Sequence, residues 1–498
     1  MIGSTEISLS GSIQTDMLMS GLRWNTTTLT YGFPTGGSSW SSVYETGSEP
    51  YTDFASLPAE EQEAVRTVLT SWAKVANLSF IEVSEPSTTA EMRFAMTSQS
   101  STAHAYYPSN SAQGGDTWFG PNFVNQVWTP GNYEYLTTLH EVGHALGLKH
   151  PHEDADNANG GYAANPAIDS IEVSVMSYRS YPSDDIDAGN GYQLATGSYP
   201  AGPMVNDIAA IQYLYGANYA TNAGNTVYSF SPGTATIFET VWDGGGIDTY
   251  DLSAYTVSVS VSLIPGQWST FSSDQLANLN SADASVVARG NVANAYLYNN
   301  DARSLIENAT TGSGNDAIVG NDGDNVVFGG VGSDTAWGGN GNDQLYGNFD
   351  SDMLYGEAGD DILFGGQGGD VVFGSVGADQ LYGNMMNDVV YGEAGDDSIF
   401  GGQGNDQLFG GQGNDFIAGN LGDDTMTGGA GADRFVFNGN DVVADFNAAE
   451  GDRMALSAGV TYAVGAGSGG ALVTFSTGAT VTLTGFSATQ VTADWFSA

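Results

Sequence analysis

Three histidines and a glutamate fall within eleven residues, His140-Glu141-Val142-Gly143-His144-Ala145-Leu146-Gly147-Leu148-Lys149-His150. On a helix, His140 and His144 stand one turn apart on the same face, so both imidazoles can reach one ion, and Glu141 lies beside them as a general base toward water. Gly147 breaks the helix and lets His150 return as a third nitrogen ligand. Three neutral nitrogens suit zinc and leave a fourth position open, where the metal lowers the pKa of water to about 7 and polarises a carbonyl. A bare H-E-x-x-H can arise by chance on an exposed helix. The extended pattern is far more specific, and it holds three of the chain's five histidines. The other two, His104 and His152, are read as surface or packing residues.

Such a triad needs elements to carry it. Residues 132–146 place Leu136, Leu139, Val142 and Leu146 on one buried face and end at Gly147, which predicts the helix that bears the motif. A second helix is predicted over 58–76, where Val65, Val68, Leu69, Trp72 and Val75 share a face and Glu60 and Glu61 occupy the first turn. A third runs over 207–215 and stops at Gly216. Alternating runs at 91–96 and 103–107 read as strands, so residues 21–216 form a mixed α/β domain. Beyond 216 the composition shifts to Thr, Val, Ser and Gly without helical periodicity, which predicts β structure across 217–310.

From 311 to 436 the chain repeats every nine residues through fourteen units without insertion or deletion. The sixth position is Asp in thirteen units (Asp316, Asp334, Asp343, Asp352, Asp361, Asp370, Asp379, Asp388, Asp397, Asp406, Asp415, Asp424, Asp433) and Asn325 in the other. The eighth is apolar in all fourteen. This matches the G-G-x-G-x-D-x-U-x nonapeptide of calcium-binding parallel β-rolls, in which glycines free main-chain carbonyls, the aspartate adds a hard anionic oxygen and the apolar residue faces the core. Each ion then lies between units eighteen residues apart, with roughly a dozen sites at most. Units bearing Asn325, Asp350 or Met386 are expected to form the weakest of them. A flexible linker has no reason to hold an apolar eighth position through every unit. The ninth position is aromatic in ten successive units, from Phe328 to Phe409, which predicts a stacking ladder in preference to a polymer-binding surface.

The 498 residues carry 57 acidic against 10 basic side chains, a formal charge of -47, which excludes nucleic acid or an anionic membrane as a natural partner and favours cations. There is no cysteine, so neither disulfides nor a thiolate switch on zinc is available. The first fourteen residues, MIGSTEISLSGSIQ, have neither a basic nor an apolar region, so a classical signal peptide is not expected there. No run has the apolar length of a membrane span, and no membrane insertion is expected.

H-E-x-x-H-x-x-G-x-x-H is the metzincin pattern, and the chain resembles the serralysin family within that clan. Ser174-Val175-Met176-Ser177-Tyr178 resembles its Met-turn, Pro151 follows the third histidine as in the family, and DIAAIQYLYGAN at 207–218 resembles the segment that closes its catalytic domain. The resemblance implies a multi-domain fold: an N-terminal α/β metzincin catalytic domain followed by an all-β C-terminal domain containing a parallel β-roll. The expected divisions are an N-terminal segment at 1–20 with room for a short propeptide, the protease domain at 21–216, a β-rich bridge at 217–310, the roll at 311–436 and a C-terminal β cap with the secretion signal at 437–498. It implies zinc on His140, His144 and His150 with Tyr178 as a displaceable further ligand, Glu141 as base and Tyr178 as oxyanion donor. Structural calcium is implied at Asp243, Gly245, Gly246, Asp248 and Glu307 as well as at the repeat aspartates. The segment 103–107 resembles the edge strand along which metzincins lay an extended peptide. A secreted, extracellular, monomeric endopeptidase acting on proteins and peptides is implied, exported by a type I apparatus that reads the C-terminus. Two departures stand out: the array is longer than is usual in the family, and the ending Asp494-Trp495-Phe496-Ser497-Ala498 matches only loosely. The competing reading, an extracellular calcium-binding adhesin or matrix protein, needs neither the catalytic motif nor the Met-turn.

Overall fold

The structure is a computed structural model that describes residues 3–36, 38, 40, 54–85, 87–124, 126, 128–154, 160–186 and 192–497. Met1 and Ile2 of the N-terminal segment read above, and Ala498 of the C-terminal one, lie outside the described residues. The chain forms two compact units: Met1–Gly224, Thr234–Gly246 and Pro265–Ser304 make the first, and Asn225–Gly233, Ile247–Ile264 and Leu305–Ala498 the second. The segment 217–310 is thus shared between them. The fold is the expected one, an α/β metzincin-like domain and a parallel β-solenoid.

The first unit begins with β1 (Ser4–Glu6), which pairs antiparallel with β2 (Leu22–Trp24). Between them α1 (Ile13–Asp16) leads into Met17, Leu18 and Met19, at most 1 % exposed. The main sheet comprises β3 (Thr28–Gly32), β4 (Phe54–Ser56), β5 (Ser79–Glu82), β6 (Met92–Thr97), β7 (Ala103–Ala105) and β8 (Thr117–Phe119) in the order β5-β3-β6-β8-β7, with β4 on β6. Every residue of β6 is buried, as a central strand covered on both faces requires. β7 lies at the edge, antiparallel to β8.

α2 (Ala59–Val75) buries the five predicted residues and packs on α3 (Tyr133–Leu146). From Tyr135 onward every residue of α3 is buried, and Gly147 ends it at φ 110°, where an L side chain is strained. α4 (Val205–Tyr215) starts two residues before the predicted Asp207. Asp207 is its third residue, and its carboxylate accepts the Met204 N–H (2.8 Å), closing the first turn from inside.

In the second unit, strands of the repeat pair in parallel with residues eighteen apart, as in Leu345 with Leu363, so two units make one turn. Eighth-position side chains from Ile318 to Phe435 are at most 2 % exposed and fill the solenoid. Val227–Ser229, Thr249–Asp251 and Ser260–Ser262 belong to the two twelve-stranded sheets, and an antiparallel hairpin through Tyr462–Ala466, Gly470–Phe475 and Thr480–Thr484 adjoins the far end of one. The ninth-position aromatics form two stacks, Phe328-Tyr346-Phe364-Tyr382-Phe400 and Trp337-Tyr355-Phe373-Tyr391-Phe409, with centroids 4.7–5.7 Å apart and planes within 11°. Each inner ring spends both faces on its neighbours, which makes the ladder a stabilising element.

At the fourth position the backbone takes a positive φ in eleven of the fourteen units and approaches the rung below. A Cβ on Gly404 would lie 1.8 Å from the Met386 carbonyl oxygen. Met386 itself occupies that position at φ 78° and is 65 % exposed, so its side chain gains little burial for its strain. Met386→Gly is expected to stabilise the roll by up to ~1 kcal/mol, because the ~1–2 kcal/mol left-handed penalty exceeds the ~0.5–1 kcal/mol of entropy that glycine loses. A urea midpoint in calcium that is unchanged or lower would contradict this.

Candidate metal centres

α3 carries His140, Glu141 and His144 on a helix whose surroundings are packed throughout, so their rotamers are fixed by the core. Gly147 turns the chain, and His150 comes back to the same point: its Nε2 lies 3.0 Å from both His140 Nε2 and His144 Nε2. The outward nitrogens are each engaged. His140 Nδ1 donates to the Val175 carbonyl (2.8 Å), His144 Nδ1 to the Leu148 carbonyl (2.7 Å), and His150 Nδ1 to Glu153 Oε2 (2.9 Å). With an N–H at Nδ1, every ring offers its Nε2 lone pair inward. Burial, reinforced by the neighbouring histidines, pushes His140 well below its usual value, His144 down to about 3 and His150 to about 2. All three are neutral at physiological pH, the form that ligates a metal. The donor set fits zinc.

Glu141 is 5 % exposed, and its Oε2 has no hydrogen-bond partner. Without a neighbouring cation, burial raises its carboxyl to about 8, and a metal ion held by the three histidines would lower it again and favour the carboxylate that can act as a base. It lines a cleft of about 300 Å³ with Thr102, Ala103, Tyr133, Thr137, His140, Tyr178, Ile186 and Tyr192. Ala103 begins β7, so the sheet edge borders the cleft. The Tyr178 ring stacks on His140 (5.5 Å, 15°) and lies 4.3 Å from His150, and desolvation, with the charges of Glu141 and Glu153, keeps its hydroxyl protonated. His152 stacks on His150 (5.1 Å, 12°), while His104 meets Tyr106 edge-on in β7.

Several contributors were not singled out from the sequence. The Asp207 carboxylate, 0 % exposed, accepts Ser174 Oγ–H (2.6 Å) and the Val175 N–H (2.7 Å), so it holds the very turn whose carbonyl orients His140. Gly143 packs against Met176, the residue that the Met-turn resemblance places under the zinc site: a Cβ on Gly143 would come 2.5 Å from Met176 Sδ, which explains a glycine in mid-helix. Lys149 is buried and donates from Nζ to the carbonyls of Met17, His150 and Glu153. The glycine inside a helical motif and the lysine inside an apolar run were the available signals. Residues 17–20 also reach the loop that follows α3 directly: Lys149 N–H donates to Leu18 O (2.8 Å), and Ser20 Oγ–H to Gly147 O (2.6 Å).

In the roll, the sixth-position aspartates from Asp334 onward each accept, through Oδ1, the N–H of the residue eighteen before, as Asp352 does from Asp334 (2.8 Å) and Asp370 from Asp352 (2.9 Å), while Asp316 Oδ1 accepts the Val259 N–H (2.8 Å). The Oδ2 of all thirteen is buried without a partner. Burial raises these carboxyls, to about 6 at Asp361 and Asp406 and about 8 at Asp352 and Asp388, with neighbouring carboxylates adding to each. Columns of unpaired anionic oxygens beside glycine carbonyls fit calcium. Of the remaining predicted ligands, Asp243, Gly245 and Gly246 lie in the first unit, where Asp243 Oδ1 accepts the Gly245 N–H (2.7 Å). Asp248 and Glu307 lie in the second, where Glu307 Oε2 accepts the Asp248 N–H (2.7 Å).

Three family models match the chain: Matrixin over residues 49–158, Peptidase M10 serralysin C terminal over 207–270, and the RTX calcium-binding nonapeptide repeat in stretches from 310 to 443. The first implies a catalytic zinc and the last implies calcium. Among curated relatives, the chain is 38 % identical over 293 residues to Serralysin C of Dickeya chrysanthemi, covering 54 % of this chain and 55 % of that one. It is 35 % identical over 333 residues to Metalloprotease AprA of Pseudomonas entomophila (strain L48), at 61 % and 62 %, and 32 % identical over 325 residues to Serralysin of Proteus mirabilis, at 59 % of each. The matches thus span less than two thirds of the length of these relatives.

Proposed function

We propose, from the premise that this is a serralysin-like chain, that it is a secreted zinc-dependent endopeptidase whose C-terminal β-roll is folded by calcium. The observation that carries this is the convergence of three neutral Nε2 atoms, those of buried His140 and His144 and of partly buried His150, together with the buried, partnerless Glu141 Oε2 in a cleft bordered by a strand edge. An adhesin needs none of these.

His140, His144 and His150 would hold the zinc, with Tyr178 as a displaceable ligand. When bound, zinc lowers the pKa of water to about 7 and polarises the scissile carbonyl. An extended peptide pairs with β7, which leaves the scissile bond beside Glu141 and one side chain in the cleft lined by Tyr133, Thr137 and Tyr192. Glu141 Oε2 takes a proton from the attacking water and returns it to the leaving amine. Tyr178, protonated and stacked on the ligand rings, donates its hydroxyl to the carbonyl oxygen as charge develops there.

Export through a type I apparatus is supported by the RTX repeats and by the buried aspartates, which ask for calcium at exterior concentrations. Among the described residues no helix is long and apolar enough to cross a membrane, and a monomer acting on protein or peptide substrates is our reading. Casein zymography tests it. A chelator selective for zinc over calcium should abolish clearing, and added zinc should restore it. Clearing that survives zinc removal would overturn the proposal.

A further inference from the structure

We propose that Glu153 is a positioning residue of the metal centre: its carboxylate fixes the orientation and tautomer of His150, and through them the affinity of the triad for its ion. The inference rests on the zinc reading given above.

The three ligands are not supported alike. His140 and His144 stand on α3, a rigid helix, and each turns Nδ1 to a main-chain carbonyl. His150 lies beyond the helix end, on a turn. Its Nδ1 meets a carboxylate instead, Glu153 Oε2 at 2.9 Å, three residues further on. An acceptor at Nδ1 selects the tautomer whose Nε2 lone pair faces the ion, and a charged acceptor makes the ring a stronger donor than a carbonyl does. Glu153 therefore does for the least constrained ligand what the backbone does for the other two, and adds charge.

The turn that carries this contact is held from inside. The Lys149 ammonium, 2 % exposed, donates to the carbonyls of both His150 (3.0 Å) and Glu153, and to that of Met17 (2.7 Å). Both ends of the His150–Glu153 turn are thereby tied to one buried cation. On the other side His152 stacks on the His150 ring at 12° and sets Nε2 3.7 Å from Glu153 Oε1, so ring and carboxylate are held in one arrangement. The Glu153 side chain itself is 52 % exposed, which means that it can be replaced without opening the core.

The test uses the full chain in calcium, with Glu153→Ala, Glu153→Gln and Glu153→Asp. Zinc affinity is read by competition with a chromophoric chelator, and ligand geometry by the visible bands of the cobalt-substituted protein. The Ala variant is expected to bind zinc about 10- to 100-fold more weakly, with shifted cobalt bands, since loss of an outer partner of a ligating histidine typically costs that much. Gln, which keeps an acceptor without the charge, and Asp, which keeps the charge on a shorter arm, should each recover part of the loss, and the far-UV spectrum should not change. Parent-like zinc affinity and cobalt bands in the Ala variant would overturn the inference while leaving the zinc centre standing. A parent chain that takes up no zinc would overturn both.

Discussion

Glu141→Ala is expected to lower peptide hydrolysis by about 10²–10⁴-fold while leaving one zinc bound per chain, because general acid–base catalysis contributes on that scale and the variant keeps every ligand. The two effects separate cleanly since Glu141 makes no hydrogen bond through Oε2 to any ligand ring, whereas each ring is held by a partner of its own at Val175, Leu148 or Glu153. Burial also argues for little structural cost: a carboxylate kept from water without a partner is itself destabilising, so truncation removes a penalty as well as a base. Steady-state assays on a protein substrate, with zinc measured on the same sample, check this. Retention of more than a few per cent of parent turnover would show that the proton is moved by another group.

Calcium withdrawal should unfold the roll at neutral pH, and acid should partly replace the ion. Thirteen buried Oδ2 atoms without partners recur along the solenoid, and the glycine-rich turns lose more backbone entropy on ordering than most sequences. Each bound ion stabilises the folded state by about 2.7 kcal/mol at a hundredfold excess over its dissociation constant, and several together offset that cost. The pH dependence follows from the direction of the aspartate shifts. In the unfolded chain these carboxyls titrate near ~4. Folded and metal-free, they are raised, to about 6 at Asp370 and Asp433 and about 8 at Asp352 and Asp388. The unfolded state therefore releases protons first as pH rises, so metal-free stability is greatest below pH ~4 and is lost progressively through the range 6 to 8. Near-ultraviolet circular dichroism from the two aromatic stacks is a suitable probe. In chelator the signal should be stronger at pH 5 than at pH 8, and calcium should restore it at pH 8 cooperatively where magnesium does not, because magnesium demands a stricter octahedral shell. A full signal at pH 8 in chelator would refute the switch. The full chain is the right sample, since the strands at Val227–Ser229, Thr249–Asp251 and Ser260–Ser262 pair with the first rungs and would be lost from a fragment starting at 311.

What could be read in advance was what repeats or what chemistry constrains locally. The i, i+4 spacing of His140 and His144 set the helix face, Gly147 set its end, and the ninefold period set the eighteen-residue register. The aromatic ladder followed from the same period. Interactions without a period were hidden. Asp207 looked like a helix start because its partners, Ser174 and Val175, lie more than thirty residues away. Residues 13–20 carried too short an apolar run to mark them as core, although Met19 bridges Leu148 in the loop that follows α3. The first rungs of the solenoid at 227–262 escaped notice because they lack the Gly and Asp marks of the array, while their hydrogen bonding is the same. Glu153 carried no mark in a sequence so rich in acidic residues, because its partner His150 is set by a turn and not by a period.

X-ray absorption at the zinc edge of the purified chain in calcium reads the ligands of the ion itself. One zinc per chain is expected, with three imidazole nitrogens at ~2.0–2.1 Å and the remaining shell made of oxygen, the nitrogens being lost stepwise on replacing His140, His144 or His150. An oxygen-only shell, or a spectrum unchanged by those three substitutions, would contradict it.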